Sequence, residues 1–190
     1  MDRLIERLFS YISILTVIII GFISCNKTQK ENEIENIVEQ FIGDTILLPV
    51  IDSVLLNDSV YQRDFLYKSK LKITTFIQGD CPICVDELEK WNDLYQYSKS
   101  EKDLKIYFFT SIPDIYHFKE NFYKDNIHKY PLLLDNEYAY IDKNNLTLHK
   151  KTYQTFLSDS ANKIILVGNP IYNNEIYDLY ITEIKNRLLN

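Results

Sequence analysis

The chain is poor in the residues that loosen or staple a fold. It has 4 Gly and 5 Pro in 190 residues, which excludes collagen-like, linker-rich and low-complexity classes. Its 3 Cys are too few for a small disulfide-stapled scaffold. It also lacks an excess of positive charge: 21 Lys and Arg face 27 Asp and Glu, and the net charge of −6 is spread along the chain. This argues against nucleic acid as a partner, because phosphate contacts need clustered Lys and Arg. There is no internal repeat and no room for two large domains. What is present is apolar and aromatic. The composition is 46% apolar, with 15 Tyr and 10 Phe, enough to fill the core of one ordinary domain.

The N-terminus reads as an address. Residues 8–23 are mostly apolar, short of the roughly 20 residues a comfortable span requires but long enough for a signal-peptide core. The run ends in Phe22-Ile23-Ser24-Cys25 and polar sequence follows at once, beginning Asn26-Lys27-Thr28. This resembles a bacterial lipobox, in which the Cys becomes the lipidated first residue of the mature chain. Cys25 is therefore the candidate lipidation site. A free Cys after an uncleaved span and a structural disulfide partner are the other readings. A chain held by an acylated Cys25 needs no apolar surface of its own to stay at a membrane. The expected organisation is a signal peptide over residues 1–24, a polar tether ending in a short helix over 25–40, and one folded domain over 41–190.

In the folded part, residues 44–56 suggest a strand, a turn at Pro49 and a second short strand, and residues 57–70 read as loop or edge structure. Leu71–Gln78 is a central strand, with Ile73, Thr75 and Ile77 alternating against Thr74 and Phe76. A helix starts at the Cys81, Cys84 pair. Its apolar face runs through Val85, Leu88, Trp91 and Tyr95, and Pro82 at its start costs no hydrogen bond. Residues 104–110 form a buried strand, 113–125 a helix and 131–134 a short strand. Residues 152–159 and 163–171 read as two strands joined at Asp159-Ser160-Ala161-Asn162, and residues 175–190 as a last helix. This order predicts an α/β fold: one mixed sheet with helices on both faces.

Cys81-Pro82-Ile83-Cys84 follows an apolar strand and opens an amphipathic helix. A CxxC can also be half of a zinc site, but the three His (His117, His128, His149) stand apart and the folded part has no further Cys. No metal is expected. The redox reading rests on local physics. Two intervening residues let both sulfurs meet at the first turn of a helix, where unpaired N–H groups and the helix dipole favour a thiolate. Cys81, outside or capping the helix, is the expected attacker, and Cys84, one turn in, the buried resolver. A disulfide this local closes so small a loop that a purely stabilising role is the weaker explanation.

These features together resemble the thioredoxin fold. With the lipobox-like N-terminus and the tract 81–91, they are similar to the TlpA-like thiol-disulfide lipoproteins of Bacteroidota. The tract 155–171 is similar to the hairpin of that family. The resemblance covers residues 41–190 and implies the following expectations. Cys81 and Cys84 form the redox pair. Glu87 occupies the place of a family carboxylate and takes a proton from Cys84, against the plainer reading of a solvated helix residue. Pro82, Ile83, Thr152 and Tyr153 contact substrate. No cofactor is needed. The partners are a disulfide-containing protein or thiol substrate, an upstream membrane electron donor, and the membrane through a lipid anchor. The location is the cell envelope, facing the periplasm or on the outer membrane. Three departures accompany the resemblance. Thr75 stands where thioredoxins bury an acid, Gly79-Asp80 precede the motif in place of an aromatic, and Tyr153 stands at or near the family's cis-Pro. A non-Pro residue makes a cis bond costly there, by about 2.5–4 kcal/mol.

Four functions compete. The first is a membrane-anchored thiol-disulfide oxidoreductase acting on protein or small-molecule disulfides through the CPIC pair. The second is a non-catalytic binding or structural lipoprotein of the same fold, which the absent cis-Pro favours. A peroxidase is disfavoured because residues 76–81 carry neither the Thr nor the Pro that peroxidases of this fold place around the attacking Cys. Copper handling is disfavoured because the Cys spacing is one residue short and His149 is only a loose ligand candidate.

Overall fold

The computed structural model describes residues 35–62, 67–122, 129–146 and 150–189. Cys25, His128 and His149, with the signal-peptide and lipidation readings, lie outside them. The chain divides into Met1–Gln40 and Phe41–Asn190, and residues 35–41 are helical. No helix among the described residues is long and apolar enough to cross a membrane.

The second unit is built on one seven-stranded sheet of order β2-β1-β5-β4-β3-β6-β7. The strands are β1 (Ser53–Leu56), β2 (Ser59–Gln62), β3 (Leu71–Gln78), β4 (Leu104–Ser111), β5 (Leu132–Leu134), β6 (Phe156–Asp159) and β7 (Ile164–Val167). The helices are α1 (Pro82–Lys90), α2 (Asn92–Ser100), α3 (Ile115–Asn121), α4 (Ala139–Lys143) and α5 (Asn174–Leu189). β3 pairs parallel with β4 and antiparallel with β6, and β4 pairs parallel with β5. β6–β7 and β1–β2 are antiparallel hairpins.

β3 is the strand the sequence predicts, end to end. It is buried on both faces, from Leu71 to Ile77. On one face Ile73, Ile77, Ile106, Phe108 and Leu157 pack with Val85, Leu88, Trp91, Leu94, Tyr95, Phe118, Tyr180 and Ile184 from α1, α2, α3 and α5. The opposite face carries α4: Tyr140 stacks on Phe109 with ring centroids 4.5 Å apart and donates to the Thr74 hydroxyl at 3.0 Å. Helices therefore cover both faces, as expected: α1, α2, α3 and α5 lie on one side and α4 on the other.

Residues 57–70, read as loop or edge structure, hold the edge strand β2, and the β1–β2 turn is made by Asn57 and Asp58, both left-handed at φ 48° and 63°. The mirror-image turn matches strand twist, and Asn and Asp tolerate it. The helix after the Cys pair is two helices, broken at Trp91, whose indole is buried against Phe108. α4 was not expected. It is capped by buried Asp135, whose carboxylate accepts from the N–H groups of Ala139 and Tyr140, each at 2.8 Å. Finally, Lys151–Tyr153 form a 3-10 turn rather than the start of a strand, and β6 begins only at Phe156.

Candidate functional site

The site sits where β3 leaves the sheet. Gly79 donates to the Ser111 carbonyl at 2.8 Å. A Cβ at Gly79 would lie 2.5 Å from that oxygen and 2.7 Å from Ile112 Cγ1, so glycine is required here for close approach to the end of β4. The chain then turns through Asp80, and Cys81 donates to the Gln78 carbonyl at 3.3 Å. Asp80 is exposed, and its carboxylate accepts from Gln78 Nε2 at 2.7 Å. That same amide donates to the Tyr138 hydroxyl at 2.8 Å.

Cys81 is the N-cap of α1, with extended backbone, and Pro82 begins the helix. Cys81 and Cys84 are joined as a disulfide with Cα atoms 5.2 Å apart. The Cys84 backbone N–H donates to Cys81 Sγ at 3.3 Å. A helix N-cap position normally holds an oxygen acceptor; here it holds the sulfur of the expected attacker. Both cysteines are half-buried, so the expected contrast between an exposed Cys81 and a buried Cys84 does not appear in this oxidised pair. Pro82 is exposed and Ile83 is 74% exposed, an apolar side chain standing free beside the disulfide.

Below the pair, Thr75 is 2% exposed and shares a 2.8 Å hydrogen bond with the Thr155 hydroxyl. Two neutral hydroxyls thus satisfy each other at the place where thioredoxins bury an acid. Glu87, one turn beyond Cys84, is not a solvated surface carboxylate. Its side chain is 12% exposed and forms an ion pair with Lys151 of the 3-10 turn. Tyr172 also bonds it. Loss of solvation first, and then the bond to Glu87 and its charge, hold the Tyr172 hydroxyl above its ordinary range. The sequence reading missed Lys151, which lies 64 positions from Glu87. A hint was available in Lys150-Lys151, which end two residues before the cis-Pro position.

Thr152 and Tyr153 are half-buried in the same turn. The Thr152 carbonyl accepts from Asn169 N–H at 2.8 Å, and the Tyr153 N–H donates to the Lys150 carbonyl at 2.8 Å. Those two groups of the predicted substrate-pairing backbone are thus engaged within the chain, and no cis peptide occurs among the described residues. Cys84, Lys151 and Gln154 meet Phe76, Gln78, Tyr138 and Ile141 around a recess of about 300 Å³. No cluster of three or more His, Cys, Asp or Glu able to hold a metal occurs among the described residues.

A CxxC disulfide at a helix N-terminus, just after an interior strand of a mixed sheet that ends in a hairpin and a helix, decides the architecture. The fold is thioredoxin-like. Solved structures agree. A protein from Bacteroides thetaiotaomicron described as a protein disulfide isomerase superposes with a TM-score of 0.59 at 21% identity, covering 78% of this chain and 91% of that one. A 2-Cys peroxiredoxin from Plasmodium vivax gives 0.54 at 18% identity, covering 77% and 99%. A thiol:disulfide interchange protein from a Bacteroides species gives 0.51 at 16% identity, covering 74% and 90%. Neither a protein-family model nor a curated protein matches the chain. At these identities the likeness establishes the fold.

Proposed function

We propose that this protein is a membrane-anchored thiol-disulfide oxidoreductase working through Cys81 and Cys84. The observation that carries the reading is the Cys84 N–H aimed at Cys81 Sγ at 3.3 Å, at the first turn of α1. An N–H donor and the positive end of the helix favour a thiolate there. In the reduced protein Cys81 attacks a substrate disulfide. One S–S bond breaks, a mixed disulfide forms and a substrate thiolate leaves. Cys84 then attacks Cys81 Sγ and releases the second substrate thiolate. Glu87, one turn from Cys84, serves as the base that takes its proton. Pro82, Ile83, Thr152 and Tyr153 are the residues assigned to substrate contact. The direction is reduction of substrate disulfides, with an upstream membrane donor returning the electrons, and Cys25 carries the lipid. Resemblance to thiol-disulfide lipoproteins and fold likeness to thiol:disulfide interchange proteins support this placement.

Cys84→Ser should trap a mixed disulfide with a protein substrate through Cys81, while Cys81→Ser should trap almost none. Equal trapping by both variants would defeat the assignment of roles. The second reading, a non-catalytic lipoprotein, draws on the 3-10 turn at Lys151–Tyr153, whose Thr152 carbonyl and Tyr153 N–H are bonded within the chain. Absence of disulfide exchange by the unaltered protein would favour it.

A further inference from the structure

The two sulfurs of the disulfide do not share one environment. The recess beside the pair has Cys84 in its wall, and among the described residues that line it Cys81 is absent. Its lining joins the amides of Gln78 and Gln154 to an apolar part. Phe76 and Tyr138 lie with ring centroids 5.5 Å apart, and Ile141 lies beside them. Lys151 contributes the one cation, already paired with Glu87. The volume of about 300 Å³ is at the lower limit for ligand pockets. It accommodates a small molecule or a single side chain and excludes a folded loop. Cys81, by contrast, adjoins exposed Pro82 and an Ile83 side chain open to solvent.

Sulfur chemistry gives this asymmetry a consequence. The rate of attack on a disulfide depends on which sulfur is reached and on how stable the departing thiolate is. Cys81 Sγ receives the Cys84 N–H at the helix N-terminus, so Cys81 is the sulfur better able to carry negative charge away. Attack on Cys84 expels that favoured thiolate. Attack on Cys81 expels Cys84, whose sulfur occupies no such capping position.

We infer that the recess is an entry site for a low-molecular-weight thiol, which reduces the oxidised protein by attacking Cys84, while protein disulfides are handled at Cys81. The inference rests on the oxidoreductase reading and adds to the membrane donor a second route of reduction, by small thiols, on the Cys84 side of the pair. The first thiol, RSH, loses its proton to solvent, and RS⁻ attacks Cys84 Sγ. An RS–Cys84 bond forms, the Cys81–Cys84 bond breaks, and the electron pair departs on Cys81 Sγ. A second RS⁻ attacks the R-bearing sulfur, forms RSSR and expels Cys84 as thiolate. The protein thiolates then take up two protons. The net reaction converts two RSH and one protein disulfide into RSSR and two protein thiols. A small, largely uncharged thiol fits best, because the described lining is apolar and amide in character and its cation, Lys151, is already paired with Glu87.

The test exposes the full-length oxidised protein briefly to 2-mercaptoethanol, quenches with acid and N-ethylmaleimide, and maps both adducts by peptide mass spectrometry. The expected result is mercaptoethanol on Cys84 and maleimide on Cys81 in at least tenfold excess over the reverse. The reverse arrangement, or an even mixture, overturns the inference. In a second arm, Gln154→Trp fills the recess. It should slow reduction by 2-mercaptoethanol at least tenfold while reduction by a dithiol protein stays within twofold. Equal slowing by both reductants, or slowing of neither, overturns it as well. The adduct map is read on the unaltered protein, so it stands if the Trp variant does not fold. It is also independent of turnover: failure to process any protein disulfide would sink the oxidoreductase reading and leave the adduct map intact.

Discussion

Replacing Lys151 with Met tests whether the ion pair to Glu87 is structural. The methionine keeps most of the stem and removes the charge. The Glu87 side chain is 12% exposed and that of Lys151 33%. Loss of the cation therefore leaves a mostly buried carboxylate with Tyr172 as its remaining partner. Breaking a fully buried pair costs about 3–5 kcal/mol and an exposed pair about 0–1 kcal/mol. Because solvent reaches Lys151 and Tyr172 remains, a cost of about 2 kcal/mol is expected. For a domain of this size that is a fall of roughly 4–8 °C in Tm. Urea unfolding of the wild type, Lys151→Met, Glu87→Gln and the double variant closes a cycle, which should give a coupling energy of about 1–2 kcal/mol. The same proteins carry the functional arm. Glu87→Gln should slow release of a mixed disulfide more than its formation. A single-variant cost below about 0.5 kcal/mol with no coupling would return the pair to the class of idle surface contacts. Unchanged rates of both steps would remove Glu87 from the chemistry.

Three further outcomes follow from the same structure. Gly79→Ala forces a Cβ toward the Ser111 carbonyl and should cost about 1–3 kcal/mol of stability; thermal unfolding within 1 °C of the wild type would show that β3 and β4 can separate at no cost. Burial holds the Tyr130 hydroxyl up to about 12 and also raises Tyr140 and Tyr180. The unfolded chain releases these protons near pH 10 while the folded chain keeps them, so stability is complete below pH 10 and falls as pH rises toward 12, by roughly 1.4 kcal/mol per pH unit for each such group. A urea midpoint that stays flat between pH 10 and 11 would contradict this. Mass spectrometry of the membrane-bound protein should find acylated Cys25 as the first residue, and an intact segment 1–24 with no lipid on Cys25 would refute it.

Legibility in the sequence tracked how local each cause was. β3 and the start of α1 were readable because β-branched composition, Gly79, Pro82 and the Cys spacing all act within a few residues. The Asp159–Asn162 turn was readable for the same reason: the Asp159 carboxylate takes the N–H groups of Ala161 and Lys163 at 2.8 and 2.9 Å. The β1–β2 hairpin was missed because Asn57-Asp58 carries no glycine to announce its left-handed turn. α4 has five residues and no apolar period, and its cap, Asp135, sits three residues before the N-cap position, which is held by left-handed Tyr138 and shows no usual capping residue. The environment of Glu87 was invisible for a deeper reason. Helical spacing tells which side of α1 the carboxylate occupies, but Lys151 and Tyr172 arrive from distant segments through the packing of the turn before β6 and the loop before α5. The recess at Cys84 was unreadable likewise, since its walls come from β3, α1, α4 and the 3-10 turn.

The most direct test of the central claim is the reduction potential of the Cys81–Cys84 couple, measured in a preparation that is also assayed for turnover of a protein disulfide. The account predicts a reversible two-electron couple within the range of thiol-disulfide exchange proteins, from about −270 to −120 mV, and turnover that Cys81→Ser abolishes. A pair that stays oxidised to potentials below about −300 mV, in a protein that turns over no disulfide, would contradict it.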